Sequence, residues 1–336
     1  MKICVVGGAG KMGKVFARIF SGHGEIYILD ISPERFRVAE EISAKVCSLE
    51  DIGDMDIVII SVPIDKTSEV IREVAPRMKG GSLLSDLTSL KEFPVREMLK
   101  FSSEDVSVIG MHPLFGPLTP VRHQTVILTP GRDPHGYITL LEEILQESGA
   151  RVVIMTPEEH DRLMAVVQCL SHFSLVSLGL ALSKIGFRPS HELLPPVYSI
   201  LFDMVGRILH QNPEMYGEIQ KNPHAKEVRK ALLESVRELK EATEKSEFSK
   251  LMKEASSHFG DTSSSFFRFE KLIRCKTAEV EELKSLIGSE VVLRNLRTSE
   301  LVKGRLVEFE DSLLKIELNG EVLELSLDEH ELVKRS

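Results

Sequence analysis

Residues 2–20 read KICVVGGAGKMGKVFARIF. A short β-rich apolar run enters Gly8-x-Gly10-x-x-Gly13, and a helical pattern leaves it, which is the strand–loop–helix setting that a dinucleotide-binding loop requires. Glycine at the tight turn permits positive φ, the next lets the backbone approach a pyrophosphate, and the last allows the helix to pack closely on the strand. Gly8, Gly10, Lys11, Met12 and Gly13 are therefore the candidate cofactor-binding residues. Asp30 ends the next apolar run, about twenty residues past the loop, where a carboxylate accepts hydrogen bonds from ribose hydroxyls and repels a 2′-phosphate. The expected cofactor is NAD, with Arg35 as the nearby cation that would favour NADP.

Outward from this loop, β-rich runs at 2–7, 25–30, 56–62, 82–87, 106–111, 125–128 and 151–155 alternate with amphipathic segments, the pattern of a mainly parallel sheet with crossover helices. After Thr156 the texture changes. Residues 158–185 are largely apolar without strand punctuation until Gly186 and Pro189, which predicts a long, mostly buried helix. Helical patterns follow at 201–211, 225–244, 247–259 and 262–285. A helix apolar on most of its circumference needs partners on several sides, so a homodimer through this region is expected. From Ile287 alternation returns, with Asn319-Gly320 as a hairpin turn, suggesting a small Sm-like or SH3-like β-barrel. The expected architecture is a Rossmann α/β domain (1–156), an all-α substrate and dimerisation domain (157–285) and a small β module (286–336), whose acidic residues disfavour RNA binding and for which an accessory or assembly role is expected over ligand binding.

The 336 residues are 42% hydrophobic and 28% charged, enough to bury a sizeable core, and the net charge of −9 disfavours nucleic-acid binding. Cys4, Cys47, Cys169 and Cys275 are scattered, with no CxxC pair, so neither a disulfide framework nor a metal site is expected. The run at 2–7 is too short for a signal peptide, and no later stretch reads as long enough to span a bilayer. A cytoplasmic enzyme without membrane or nucleic-acid partners is expected.

Two further segments, SDLTSLKE at 85–92 and GMHPLFGP at 110–117, each follow a predicted strand and should emerge at the carboxyl edge of the sheet. Together with EEHDRLMAVVQCLSHF and MVGRILHQNPEMY, the sequence resembles the prephenate dehydrogenase family, especially the form fused to chorismate mutase in enteric bacteria, over about residues 1–269. No mutase segment precedes the first strand, so mutase activity is not expected. The resemblance implies that His112 is the catalytic histidine taking the proton of the substrate's ring hydroxyl, a task suited to imidazole. It implies that Ser89 orients the hydroxyl or the histidine and that Arg207 clamps a carboxylate. His172 is implied on the substrate side. His160 and Asp161 would organise the pocket, Asp161 by pairing with Arg207, and Lys91 would contact a substrate carboxylate. Cys169 reads as core.

The activity implied is NAD-dependent oxidative decarboxylation of prephenate to 4-hydroxyphenylpyruvate in tyrosine biosynthesis, driven by aromatisation and needing no metal. Arogenate or broad cyclohexadienyl dehydrogenase activity shares the ring chemistry. A β-hydroxyacid or imine reductase would use a helix-borne lysine or aspartate, and no such lysine stands out on 158–185. A non-catalytic NAD-sensing regulator is the reading of a different class.

Overall fold

The computed structural model describes residues 1–188, 195–296, 298–310 and 313–333; Pro189, expected to punctuate the long helix, lies outside them. The chain forms two compact units, one of Met1–Ser190 with Leu201–Glu238 and one of His191–Ile200 with Leu239–Ser336.

In the first unit, β1 (Lys2–Val6), β2 (Glu25–Leu29), β3 (Lys45–Val46), β4 (Ile57–Ile60), β5 (Leu83–Asp86), β6 (Ser107–Pro113), β7 (Thr125–Arg132) and β8 (Arg151–Ile154) make one sheet in the order β3-β2-β1-β4-β5-β6-β7-β8. The helices α1 (Lys11–Phe20), α2 (Glu34–Glu41), α3 (Ile64–Val74), α4 (Glu92–Phe101) and α5 (Tyr137–Glu147) join most of them. Alternation along β1 divides the core. Ile3 and Val5 pack with Phe16, Phe20 and Leu141 on one face, and Cys4 and Val6 pack with Ile71, Val74 and Met98 on the other. Covered on both faces, the central strands read as continuous apolar runs. All seven expected strands form, and the two-residue β3 is additional. Only β7 runs against its neighbour β6, because no helix lies between them to carry a crossover.

The expected long helix is α6 (Pro157–Met164) and α7 (Ser171–Lys184), made continuous by a π-helical turn at Ala165–Leu170. Thr156 and Glu159 cap its start reciprocally, with Pro157 at the first helical position. Two expectations are corrected here. α7 has no buried residue, and Leu180 is 57% exposed, because within one chain its apolar circumference has too little to pack on. The helix is also long and apolar enough to cross a bilayer. Ser171, Ser174 and Ser177 are accommodated on this apolar helix by returning their hydroxyls to carbonyls one turn back. Further helices are α8 (Pro196–Leu209), α9 (Pro213–Ile219), α10 (Ala225–Glu244), α11 (Phe248–Phe259) and α12 (Thr262–Ser285). Every described element from 157 to 285 is helical.

In the second unit, β9 (Glu290–Asn295), β10 (Leu301–Glu310), β11 (Leu313–Leu318), β12 (Glu321–Ser326) and β13 (His330–Leu332) form an antiparallel sheet in the order β12-β11-β10-β9-β13. Leu283 of α12 packs with Leu293, Leu306, Leu314 and Ile316 in its core. The β11–β12 hairpin turns at Asn319-Gly320, both at positive φ, with Leu318 paired to Glu321.

Candidate active site

The loop after β1 is built by backbone contact. Positive φ falls on Gly7 (+77°), one residue before the motif, and not on Gly8 as the spacing suggested. Gly7 donates its N–H to the Leu29 carbonyl where β1 ends, so the turn begins a residue early. Gly8 and Gly13 are needed for close approach. A Cβ on Gly13 would lie 2.5 Å from the Gly7 oxygen, and one on Gly8 2.6 Å from Ile28 Cδ1. Gly10 caps α1 without a side chain, so the first N–H groups of that helix remain available to an anion. Lys11 is exposed there and Met12 half-buried. Asp30 stands beside the loop, accepting hydrogen bonds from Ala9 N (2.9 Å) and Ser32 N (2.9 Å). Arg35 donates to the Asp30 carbonyl, which holds its guanidinium close to that corner. Bare glycine backbone at a helix N-terminus with a carboxylate at the end of β2 fits a dinucleotide.

At the carboxyl end of β6, His112 is 3% exposed. Its Nδ1 lies 2.8 Å from His160 Nε2, and His160 Nδ1 lies 2.7 Å from Asp161 Oδ1. A carboxylate oxygen only accepts, so His160 carries its proton on Nδ1 and presents a lone pair at Nε2. His112 must then donate from Nδ1, which leaves its own Nε2 as a proton acceptor. Burial, reinforced by His160 and Lys91, holds His112 well below the usual imidazole range, and burial also lowers His160 against the pull of Asp161. The chain of three side chains thus sets the tautomer, and burial chiefly favours the neutral state, of the His112 imidazole. Gln168, on the π-helical turn, brings Nε2 to 3.4 Å from that acceptor.

Asp161 does not pair with Arg207. Its Oδ1 also accepts from Lys91 N (2.8 Å) and its Oδ2 from Glu92 N (3.0 Å), so it caps α4, where carboxylate charge is favoured, while Thr156 caps its own helix. Asn222 Nδ2 donates to the Asp161 carbonyl (2.8 Å), and His224 meets Glu92 (2.8 Å). Lys91 likewise differs from expectation. Its side chain is fully buried, donating to Asp86 Oδ2 (2.6 Å) and to the carbonyl of Met111 (2.7 Å), the residue before His112. It therefore ties the β5–α4 loop to the strand of the base instead of facing a substrate. Burial lowers its pKa, and Asp86 opposes the shift. Asp86 and Thr88, which shares Asp86 Oδ2, were missed in the sequence because acidic and hydroxyl residues beside a strand end read as an ordinary turn.

Ser89 is half-buried in the loop that Lys91 anchors. His172 packs against Tyr216 of α9 at a ring-centroid separation of 4.5 Å, the two rings tilted by 59°. Burial and then the positive charge of Arg207 lower the pKa of His172. Arg207 is exposed and carries no hydrogen bond or ion pair among the described residues, so its fork is open to a carboxylate. His172, Phe173, Ile208, Gln211, Tyr216 and Gln220 line a cavity of about 280 Å³. Tyr216 was missed, although Asn212-Pro213 announced its short helix. Cys169 is core, its thiol bonded to the Ile219 carbonyl and pushed by burial up to about 11.

The family model for the prephenate dehydrogenase nucleotide-binding domain matches residues 16–168, and that for the prephenate dehydrogenase dimerization domain matches residues 156–256. A protein of Methanocaldococcus jannaschii named "Probable arogenate/prephenate dehydrogenase" is 36% identical over 335 residues, 95% of this chain and 75% of its own length. At 95% coverage of this chain that match extends into the β module, beyond residue 256 where the family models end. The T-protein of Haemophilus influenzae is 39% identical over 222 residues, 65% of this chain and 55% of its own length. Among solved structures, prephenate dehydrogenase from A. aeolicus, in complex with hydroxyphenyl propionate and NAD+, is 25% identical with a TM-score of 0.64, covering 76% of this chain and 96% of that one. Synechocystis arogenate dehydrogenase shares the fold at 17% identity and TM-score 0.62, over 79% of this chain and all of that one. With both domain models matched in sequence and a relative above one-third identity along nearly the whole chain, this protein belongs to the prephenate dehydrogenase family.

Proposed function

We propose that the chain catalyses NAD-linked oxidative decarboxylation of prephenate to 4-hydroxyphenylpyruvate and CO2. The observation that carries this is the Nε2 acceptor of buried His112, whose tautomer is fixed by His160 and Asp161. Bound at the glycine loop, NAD supplies the hydride acceptor. His112 receives the hydroxyl proton as the ring carbon loses hydride, and loss of CO2 from the opposite carbon makes the ring aromatic. Arg207, beside His172, holds a carboxylate of the substrate, and Ser89 orients the hydroxyl. Asp30, already accepting two backbone N–H groups, supports NAD over NADP.

Arogenate is the second reading, favoured by the name of the Methanocaldococcus jannaschii relative. Its amine replaces the side-chain carbonyl and leaves the ring chemistry unchanged. We propose in addition a cytoplasmic homodimer in which a second copy covers the apolar face of α7, and a barrel-like β module with an accessory or assembly role. Steady-state rates with prephenate and arogenate, each with NAD and NADP, test the assignment. Prephenate with NAD should give the highest kcat/KM. NAD binding without turnover of either substrate would refute the enzymatic reading in favour of a sensor.

A further inference from the structure

Gln168 lies within reach of His112, and three observations meet on it. It lies on the π-helical turn Ala165–Leu170, a local widening found frequently at functional sites. Its Nε2 is 3.4 Å from His112 Nε2. Its Oε1 is buried without a hydrogen-bond partner. The assignment of amide nitrogen and oxygen follows from the relay. Asp161 forces His160 to donate from Nδ1, His160 forces His112 to donate from Nδ1, and His112 Nε2 is then a lone pair that only an N–H can face. Turning the amide over would set oxygen against that lone pair.

We propose that Gln168 is a further catalytic residue, whose Nε2–H donates to the substrate oxygen that His112 deprotonates. This rests on the reading of the site as a ring-hydroxyl dehydrogenase. The 3.4 Å separation is longer than the ~2.9–3.0 Å of a well-formed hydrogen bond. An oxygen at normal distance from both nitrogens closes a triangle on that edge, accepting from Gln168 and donating to His112. In the step, the C–H electron pair leaves the ring carbon as hydride to NAD. The O–H pair becomes the second bond of the carbonyl, and the proton goes to His112 Nε2. Wherever proton transfer runs ahead of hydride transfer the oxygen carries negative charge, and the Gln168 N–H meets that charge in a desolvated setting. The orphan Oε1 follows from the same orientation, since aiming the nitrogen at the reacting oxygen turns the amide oxygen into the protein.

Gln168→Leu keeps the bulk and removes both polar atoms, and Gln168→Glu keeps the shape and removes the donor. Either should lower kcat by on the order of 10²-fold while leaving KM and the dissociation constant of NAD within about threefold. The deuterium isotope effect on kcat with ring-deuterated substrate should rise, because hydride transfer becomes rate-limiting. In the free proteins, 15N shifts of His112 should report an Nδ1-protonated ring in wild type and in Gln168→Leu. An unchanged kcat in both variants overturns the proposal, and so does a fall matched by loss of NAD binding and of thermal stability. Wild-type enzyme inert towards both prephenate and arogenate would instead remove the dehydrogenase reading itself.

Discussion

Replacing Asp161 with Asn tests the relay at its origin with almost no change of shape. Asp161 accepts three hydrogen bonds, from His160 Nδ1 and Lys91 N on one oxygen and from Glu92 N on the other. An amide has one acceptor. With its oxygen towards His160, the NH2 opposes Glu92 N–H; turned over, it opposes Lys91 N–H and donates to His160 Nδ1. Each orientation leaves one mismatched backbone donor, worth about 1–3 kcal/mol of stability. The two are therefore comparably populated, and the second reverses both imidazole tautomers, so that His112 presents N–H to the substrate. The other half retains the correct tautomer but loses the carboxylate charge behind the developing imidazolium. Two hydrogen bonds and a ring separate them by roughly 7 Å, and at an effective dielectric of about 20 that charge contributes roughly 2.4 kcal/mol, or ~50-fold. Together the effects reduce kcat by on the order of 10²-fold. Nicotinamide reduction measured by absorbance, alongside NAD binding and a melting curve, separates this from unfolding. A folded Asp161→Asn enzyme within about threefold of wild-type kcat would refute the relay.

Three further outcomes are expected. His112, His160 and His172 are all held below the ordinary value of 6.5, so the unfolded chain takes up more protons as pH falls. Stability should be complete above about pH 6.5 and decline below it towards the folded values, and a denaturation midpoint flat from about pH 7 to 5 would contradict this. Gly13→Ala puts a Cβ 2.5 Å from the Gly7 oxygen and 2.8 Å from Gly8 Cα, whereas Gly22→Ala meets nothing within 4 Å. The first should weaken NAD binding by at least roughly tenfold and cost about 1–3 kcal/mol, with the second as a calorimetric control that stays near wild type. Leu180→Glu, on the exposed face of α7, should convert a sedimenting dimer to monomer, and an unchanged sedimentation coefficient would place any dimer contact elsewhere.

Features set by local chemistry were legible in the sequence. The glycine loop, the seven longer strands and the Asn319-Gly320 hairpin each depend on residues close in the chain, where period and backbone freedom decide the outcome. His112 and His160 could be named as site residues, but their direct contact could not, since it joins a strand to a helix 48 residues on. Lys91 illustrates the difficulty most clearly. A lysine beside a strand end was expected to meet a substrate carboxylate, and only the fold brings Asp86 and the Met111 carbonyl together around it. The exposure of α7 was equally illegible, because its apolar pattern reports that it needs covering and not which chain covers it. Gln168 carried no signal at all. A glutamine in an apolar helix acquires meaning only when the base it faces is known.

The wide turn at Ala165–Leu170 has a consequence for angular bookkeeping along its helix. His160 and His172 are twelve residues apart, which at about 100° per residue would set them about 120° apart around an uninterrupted α-helix. One residue absorbed by the wider turn removes about 100° of that, leaving the two imidazoles within about 20° of one stripe. On the proposed reading, a single rod then supports the base through His160 at one station and, roughly three turns further, brings His172 beside Arg207 of α8 for the polar end of the same substrate. Winding those same residues as plain α-helix would swing His172 by about 100° out of line with His160, whereas deleting one residue between Ala165 and Leu170 would remove the wide turn and still leave the two imidazoles within about 20° of one stripe.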